Sequence, residues 1–156
     1  MTLYTRDRIV AAARGWIGTP YRHQASRKGV GTDCLGLVRG LYRELEGQEP
    51  ETPPPYTADW ADVPGEAAGP ALTLPVETLK DAASRHLIAI GVDEALPGDV
   101  LLFRMSARGP AKHAGIMSAE TRMIHACSGR AVADVHLGTW WRRKLLYAFS
   151  FPGVCG

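Results

Sequence analysis

The order of two hydrophobic patterns along the chain restricts its fold more than any other feature. In the first half, apolar residues recur at helical spacing, whereas the last third holds short apolar runs separated by turn residues. The first pattern indicates amphipathic helices and the second indicates strands. Helices followed by a meander of strands are typical of an α+β domain. We therefore predict N-terminal helices packed on a C-terminal antiparallel β-sheet.

The helical spacing predicts three helices. The first spans residues 5–17, where Thr5 can act as the cap, and it ends before Pro20 because proline cannot continue the hydrogen-bond ladder. The second spans residues 33–46, and its apolar stripe again shows spacings of three and four. The third spans residues 76–90. All three are amphipathic, so each has one face to bury against a sheet.

Strand-like runs make up most of the chain after the third helix. They span residues 100–105, 114–118, 122–126, 131–135 and 145–151. Between the second and third helices, a proline-rich stretch at about 48–75 has no apolar periodicity. We interpret it as a surface loop within one domain of residues 1–156, because neither of the two flanking pieces looks self-sufficient.

Composition and charge narrow the class of protein. Of 156 residues, 46% are hydrophobic and 22% are charged, which is ordinary for a globular domain and excludes intrinsic disorder. The net charge of +2 is too small to favour nucleic acid as a partner. No window reaches the roughly 18 apolar residues of a membrane span, and the N-terminal residues show no signal-peptide pattern. We expect synthesis in the cytoplasm, with delivery by another carrier to any outer site of action.

One short segment, residues 140–144, combines two tryptophans with three basic residues. Such a segment suits a membrane surface or a nucleic acid, and it equally suits a tryptophan pair that packs on the sheet beneath a solvated basic edge. Five residues make a small isolated patch, so we predict the packing role for Trp140 and Trp141.

The cysteine count is odd. Cys34, Cys127 and Cys155 form no Cys-x-x-Cys pair, and the chain has no His-Glu-x-x-His motif, so the strong zinc signatures are absent. We expect no metal and no cofactor. On a regular strand Cys127 would share a face with His125, which suits a second packed thiol, and a regulatory disulfide with Cys34 is the alternative. Cys155 is either free or paired with a partner subunit.

Cys34 lies one residue into the predicted second helix. The unpaired N–H groups of a helix N-terminus carry partial positive charge, so they favour the nucleophilic thiolate and can stabilise an oxyanion. We expect Gly36 to keep the following turn narrow, so that a substrate chain can approach. From its position alone, Cys34 is either such a nucleophile or a small buried core residue.

Two histidines stand 12 residues apart on adjacent predicted strands. If the turn between them centres on residue 119, His113 and His125 face each other directly, and a shift of two residues keeps them on one face as a diagonal pair. In either register one imidazole can act as a base for a thiol while the other orients it. A shift of one residue would separate them, and they would then be unrelated strand histidines.

Five segments in order resemble the NlpC family of cell-wall cysteine peptidases, a papain-like group. They cover residues 18–126, most of the chain. The segments are Gly-Thr-Pro-Tyr at 18–21, Thr-Asp-Cys-Leu-Gly-Leu-Val at 32–38, Leu-Pro-Gly-Asp-Val-Leu-Leu-Phe at 96–103, His-Ala-Gly-Ile at 113–116 and Met-Ile-His-Ala at 123–126.

The resemblance implies a role for each site residue. Cys34 would be the nucleophile, His113 the base, and His125 the third member that orients His113. Tyr21 would line the site near the thiol, and Asp33 would fix the loop or the substrate. The family cuts the stem peptides of peptidoglycan, commonly between D-glutamate and a diamino acid, without a metal or cofactor.

Two departures point to a subgroup. The commonest form of the family has serine after the cysteine, whereas this chain has Leu35, and the stretch at 48–75 is long for a minimal member. Both features resemble the members encoded with phage tails and gene transfer particles. We therefore expect tail proteins as partners and a place in the tail particle, from which the enzyme acts at the periplasmic or extracellular wall.

Three alternatives remain open. The chain could be a structural or docking component of a tail with little catalysis. It could keep the thiol chemistry and act as a related cell-wall amidase or acyltransferase, although a histidine third member favours the peptidase branch. Finally, Cys34 with the two histidines has the ligand types of a zinc site.

Overall fold

The computed structural model describes residues 2–53 and 77–156. Most of the predicted proline-rich loop, from residue 54 to residue 75, lies outside the described residues, as does the predicted start of the third helix at residue 76. Residues 48–53, the described part of that loop, form neither helix nor strand.

Helices come first and strands dominate the C-terminal part, so the predicted α+β class is confirmed. The helices are α1 (Arg6–Arg14), α2 (Cys34–Glu46), α3 (Thr78–His86) and the short α4 (Thr139–Arg142), with a 3-10 turn at Val92–Glu94. The strands are β1 (Tyr4–Thr5), β2 (Ser26–Arg27), β3 (Gly31–Thr32), β4 (Ile88–Ile90), β5 (Val100–Arg104), β6 (Ala111–Ala119), β7 (Arg122–His125), β8 (Ala133–His136), β9 (Leu145–Ser150) and β10 (Val154–Cys155).

A six-stranded sheet forms the main layer of the described residues. Its order is β4-β9-β5-β6-β7-β8, and every neighbouring pair is antiparallel. Two small two-stranded sheets lie apart from it, with β1 paired to β10 and β2 paired to β3. Helix α2 packs on β6, the strand that carries His113. The main sheet therefore brings the predicted histidine strands beneath the helix that begins at Cys34.

The third predicted helix is wrong in its last turn. It ends at His86, because Leu87 takes extended dihedrals, and residues 88–90 form β4 instead. Antiparallel pairing with β9 sets Ile88 opposite Ser150 and Ile90 opposite Ala148. The apolar spacing suited either structure, and backbone hydrogen bonds to a strand some 60 residues away decided it, helped by the β preference of isoleucine.

The helix starts follow the sequence closely. The Thr5 hydroxyl accepts a hydrogen bond from the Arg8 N–H at 3.2 Å, as predicted for the cap of α1. Helix α1 ends at Arg14, earlier than predicted, with Gly15 after it. Helix α2 starts at Cys34 and ends before Gly47, whose φ of +82° is the left-handed conformation that favours glycine.

Side chains on the two faces of the main sheet join two separate apolar clusters. On the first face, residues such as Leu102, Ala114 and Ile116 pack with α1 and α2. On the second face, alternate residues such as Phe103 and Met123 form a smaller cluster covered by parts of the C-terminal third. Because side chains alternate along a strand, His113 belongs to the second face, as its neighbour Ala114 belongs to the first.

A buried carboxylate ties the N-terminal helix to the sheet. Asp99 has no exposed surface, and one of its oxygens accepts hydrogen bonds from Arg6 Nη1 at 2.8 Å and from the Ser150 hydroxyl at 2.7 Å. The other oxygen accepts the Leu96 N–H at 2.9 Å. Its charge is therefore paired and its lone pairs are used, as a buried carboxylate requires.

Replacing this carboxylate should cost much of the stability of the fold. Asp99→Ala leaves Arg6 and Ser150 without their partner, and breaking a buried ion pair on one side costs about 3 kcal/mol or more in free energy of unfolding. Urea unfolding followed by circular dichroism measures the loss. Asp93→Ala, at an exposed aspartate in the nearby 3-10 turn, is the control and should lie within about 0.5 kcal/mol of wild type. Equal losses in both variants would contradict the role given to Asp99.

Candidate active site

Asp33 fixes the backbone at the start of α2, where Cys34 follows. One carboxylate oxygen accepts the Gly36 N–H at 2.7 Å, which caps the helix, and the other accepts the Gln24 N–H at 2.7 Å. The second bond holds Gln24 at a φ of +64°, a conformation that residues other than glycine seldom adopt. The same buried side chain thus joins the α1–α2 loop to the helix start.

The loop before Asp33 places Tyr21 beside the same helix start. Tyr21 forms an isolated parallel bridge with Thr32, in which the Thr32 N–H donates to the Pro20 carbonyl and the Arg22 N–H donates to the Thr32 carbonyl, both at 3.0 Å. The chain at residues 20–22 therefore runs alongside residues 32–33, and the Tyr21 ring packs against the main core.

Gly36 has a different role from the one predicted. A Cβ atom at this position would lie 1.9 Å from the Ala25 carbonyl oxygen and 2.7 Å from Thr32 Oγ1. The space beside Gly36 is therefore filled by the α1–α2 loop and is not open to a substrate chain. Glycine is required here because the loop packs directly on the first turn of α2.

The Cys34 thiol lies against the backbone of β6. Its sulfur is 3.8 Å from the Lys112 carbonyl oxygen, and the N–H groups of Ala114, Leu35 and Cys34 itself lower its pKa. Burial has the larger effect, and together with the Asp33 carboxylate it raises the pKa of Cys34 to about 12. Burial therefore opposes the predicted preference for the thiolate. The helix N-terminus does favour the anion, but it does not offset the loss of water around the sulfur.

His113 and His125 meet as the sequence predicts. His113 Nε2 lies 2.8 Å from His125 Nδ1, and the two rings are perpendicular. His125 pairs with Gly115, so the two histidines are diagonal neighbours on one face and do not stand directly opposite. Of the two predicted registers that keep the histidines on one face, the structure has the one that is shifted by two residues. Because Lys112 and Ala114 touch the thiol, His113 belongs to the stretch of β6 that Cys34 contacts.

Burial keeps both imidazoles uncharged. It is the largest cause that lowers the pKa of His113 to about 3, and the neighbouring His125 and the Lys112 ammonium contribute to that value. The pKa of His125 is lowered by burial and by the Arg130 guanidinium. Each charged neighbour that affects the histidines is thus cationic, which opposes their protonation. The folded chain therefore holds the Cys34 thiol and both imidazoles uncharged.

The Tyr21 phenol also stays protonated. Burial is the main cause that raises its pKa to about 12, and Cys34, Asp33 and Cys127 add to the rise. These contributions place the phenol near the thiol, as the family resemblance implied. They also place Cys127 on the same side of the site, although Cys34 and Cys127 are both free thiols and form no disulfide.

This geometry agrees with comparisons against known proteins. The model of the NlpC/P60 family matches residues 18–149, which is most of the chain. The chain belongs to the NlpC/P60 family. Members of this family are cysteine peptidases, and the chain is an enzyme of this type. Its fold is accordingly the papain-like fold that the sequence predicted.

Individual relatives support the same assignment. The chain is 29% identical to the probable endopeptidase NlpC of Escherichia coli (strain K12) over 137 residues, covering 86% of this chain and 71% of that protein. The crystal structure of the NlpC/p60 domain of the peptidoglycan hydrolase SagA superposes with a TM-score of 0.62 at 26% identity, covering 95% of this chain and 100% of that one. A NlpC/P60 family protein from Bacillus cereus shares the fold, with a TM-score of 0.63 at 16% identity, over 96% of this chain and 41% of its own length.

Trp141 joins the NlpC/P60 site, although no pattern in the sequence placed it there. Its ring stacks on His113 at 5.3 Å between centroids and meets Phe103 at 5.1 Å. The predicted packing on the sheet is confirmed for Trp141, whereas Trp140 is 56% exposed. In the sequence, Trp141 stands out only as an aromatic residue shortly before the last predicted strand. It is 28 residues from His113, so a pattern of neighbouring residues could not show that the two rings touch.

The remaining predicted features lie away from this cluster. Cys155 is an exposed free thiol, 3.4 Å from the Tyr4 carbonyl oxygen.

A cavity of about 380 Å³ lies between α2, α3 and the first face of the sheet, but Cys34, His113 and His125 do not line it. Within residues 2–53 and 77–156, no cluster of three or more His, Cys, Asp or Glu side chains is arranged to hold a metal ion. Over the same ranges, no helix is long and apolar enough to span a membrane.

The lowered pKa of His113 predicts a loss of stability in acid. Between its folded value of about 3 and its ordinary value of 6.5, the unfolded chain binds a proton that the folded chain does not. The stability is therefore complete above pH 6.5 and is lost as the pH falls. From pH 7 to pH 5, His113 should account for about 2 kcal/mol of this loss.

Urea unfolding of wild type and His113→Gln at pH 7 and pH 5 tests this expectation. The glutamine variant should lose less stability over this interval, because it cannot take up the proton. The interval stays above the range in which Glu51, whose pKa is lowered to about 2, loses its contribution. His23→Gln, at an exposed histidine, serves as the control. Equal pH dependence in His113→Gln and wild type would show that His113 is not kept neutral by the fold.

Proposed function

We propose that this NlpC/P60 protein is an endopeptidase that cuts the stem peptides of peptidoglycan, with Cys34 as the nucleophile. The observation that carries the proposal is the 2.8 Å contact of His125 with His113, which lies on β6, the strand whose backbone touches the Cys34 thiol. A thiol nucleophile needs a base that a third group orients, and this contact supplies both.

The proposed role of His113 as the base determines which ring donates in its 2.8 Å contact with His125. When His113 Nε2–H donates to His125 Nδ1, the lone pair of His113 lies on Nδ1, the nitrogen left to accept the thiol proton. Once His113 is protonated, the same Nε2–H bond continues to hold the ring. His125 therefore selects the basic tautomer of His113 and needs no charge of its own to do so.

Catalysis begins with the Cys34 thiol and the His113 imidazole both uncharged. Cys34 attacks the carbonyl carbon of the scissile amide as its proton passes to His113, and the new charges form together, so neither the thiolate nor the imidazolium stands alone in the buried site. The N–H groups at the start of α2 face the developing oxyanion. The C–N bond then breaks, and His113 returns the proton to the leaving amine. A thioester to Cys34 remains.

Hydrolysis of the thioester restores the enzyme. A water molecule gives its proton to His113 as it attacks the thioester carbonyl, the C–S bond breaks, and the sulfur regains the proton from His113. We assign to Tyr21, whose phenol stays protonated, a hydrogen bond donated to the bound peptide. Asp33 has a positioning role, since its carboxylate oxygens accept N–H groups of Gly36 and Gln24.

The choice of substrate rests on the relatives. A probable endopeptidase and a peptidoglycan hydrolase are among them, at 29% and 26% identity. Members that this chain resembles commonly cut between D-glutamate and a diamino acid, and we propose that bond. An amidase would instead cut the bond between sugar and peptide. The histidine at the third position favours the peptidase.

Digestion of purified peptidoglycan under reducing conditions, with mass spectrometry of the fragments, tests the activity. Wild type should release fragments cut within the stem peptide, and Cys34→Ala should lower the rate by about a thousandfold or more, because no other group can form the thioester. Cys155→Ala removes an exposed thiol far along the chain and should keep the activity. Fragments cut at the sugar–peptide amide would move the protein to the amidases, and undiminished digestion by Cys34→Ala would refute the mechanism.

For delivery, we propose that a phage-like tail carries the enzyme to the cell wall, where it opens a local hole. Leu35 after the nucleophile and the long stretch at 48–75 support this, since both resemble members encoded with phage tails and gene transfer particles. The partners would be proteins of the tail tip or hub. The alternative is a structural tail component with little catalysis.

Particles that carry Cys34→Ala separate these two roles. If the enzyme opens the wall, the particles should assemble with the variant protein in place but lose most of their ability to deliver DNA into cells. If the protein is mainly structural, delivery should match wild type. A protein that is absent from purified particles, by mass spectrometry, would contradict both tail roles and leave the endopeptidase proposal standing.

A further inference from the structure

Trp141 makes ring contacts with both histidines of the proposed pair. It lies in α4, between β8 and β9, and is partly buried against the second face of the sheet. Its indole stacks on the His113 ring at 5.3 Å between centroids with an interplanar angle of 24°. The same indole meets the His125 ring edge-on, also at 5.3 Å, with an angle of 84°.

We propose that Trp141 is a positioning residue for this pair, which holds the plane of the His113 ring and covers the two imidazoles from water. The proposal rests on the function given above, in which His113 exchanges its proton with Cys34. A ring stacked on an indole face cannot rotate about its Cβ–Cγ bond without losing that contact. The plane that is held is the one in which Nε2 reaches His125.

The indole is itself held in place. It packs edge-on against Phe103 at 5.1 Å. The next residue, Arg142, donates to the Leu137 carbonyl at 3.2 Å and to the Glu120 carbonyl at 2.9 Å, which ties α4 to the ends of the neighbouring strands. The Trp141 carbonyl accepts the Lys144 N–H at 2.9 Å. A residue that orients a catalytic base needs such support, because a loose ring would orient nothing.

Stacking also has an electrostatic effect that appears only during the reaction. When His113 accepts the thiol proton it becomes an imidazolium, and a cation over an indole face is attracted by the ring quadrupole. Before the transfer the imidazole is neutral and this attraction is small. This attraction offsets a part of the cost of charging a buried ring, while burial, to which Trp141 contributes, remains the larger effect and keeps the pKa of His113 low.

The contribution of the Trp141 indole to His113 is separate from that of the charged groups around the two histidines. The titratable neighbours are His125 from β7, Lys112 on the same strand as His113, Arg130 in the turn after β7, and Cys34 with Asp33 from the start of α2. The cations among them oppose protonation of the histidines. Substitution at Trp141 leaves every one of these groups in the chain, so it isolates the contribution of the indole.

Hydrolysis kinetics of a synthetic stem peptide as a function of pH test the proposal. Trp141→Ala should lower kcat by about tenfold or more while KM stays within about threefold, because the peptide itself is bound elsewhere. Its acid limb in kcat/KM should move up by about one pH unit, since burial is the main cause of the lowered pKa of His113 and the variant admits water. Trp141→Phe keeps a stacked ring and should restore much of kcat.

Trp140→Ala is the matched control. Trp140 lies in the same helix and is 56% exposed; its described ring contacts are with Trp141 and the Lys144 ammonium. Its loss should leave kcat and the pH profile within about twofold of wild type. Equal effects of Trp140→Ala and Trp141→Ala would overturn the proposal, because a general role of α4 in stability would then explain both.

A second measurement does not depend on activity. The titration of His113 is followed by NMR in a Cys34→Ala background, with and without Trp141→Phe and Trp141→Ala, after circular dichroism has shown that each variant is folded. The alanine change should raise the pKa of His113, and the phenylalanine change should raise it less. Unchanged titration in both would refute the proposal. If wild type hydrolyses no stem peptide, the proposed function fails, while this titration still decides the role of Trp141.

Discussion

The site depends first on one buried carboxylate. Asp33 caps α2 through the Gly36 N–H and holds the α1–α2 loop through the Gln24 N–H, both at 2.7 Å. Cys34 follows directly, so its position relative to the loop and to β6 is set by this side chain. The fit of Ala25 against Gly36 belongs to the same constraint, because no side chain can separate the loop from the helix there.

The two faces of the main sheet have different roles. One face packs with α1 and α2 and forms the larger apolar cluster. The other face carries the two histidines, with Phe103 and Trp141 beside them. Cys34 meets the sheet at the backbone of residues 112–114, so the thiol approaches the histidine strand from the helix side. The nucleophile and its proposed base therefore come from opposite layers, each held by its own core.

Burial decides the charge state of this arrangement. The helix N-terminus favours a thiolate, and backbone N–H groups do lower the pKa of Cys34, yet loss of solvent raises it to about 12. The same loss lowers the pKa of His113. A neutral thiol and a neutral imidazole are the consistent result. In the mechanism we propose, the ion pair between Cys34 and His113 therefore forms as part of the reaction.

Local patterns in the sequence determined the class of fold, the cap at Thr5, and the strands that carry the histidines, because these features depend on residues a few positions apart. The family resemblance named Cys34, His113 and His125 as the catalytic residues, with Tyr21 and Asp33 beside them. Only the tertiary structure decided which register brings the histidines together, whether Ile88–Ile90 is helix or strand, what fills the space at Gly36, and that Trp141 covers His113. Each of these depends on contacts between distant parts of the chain. The charge of the site was decided in the same way, because a pKa responds to the water that packing removes, and no short stretch of sequence records that quantity.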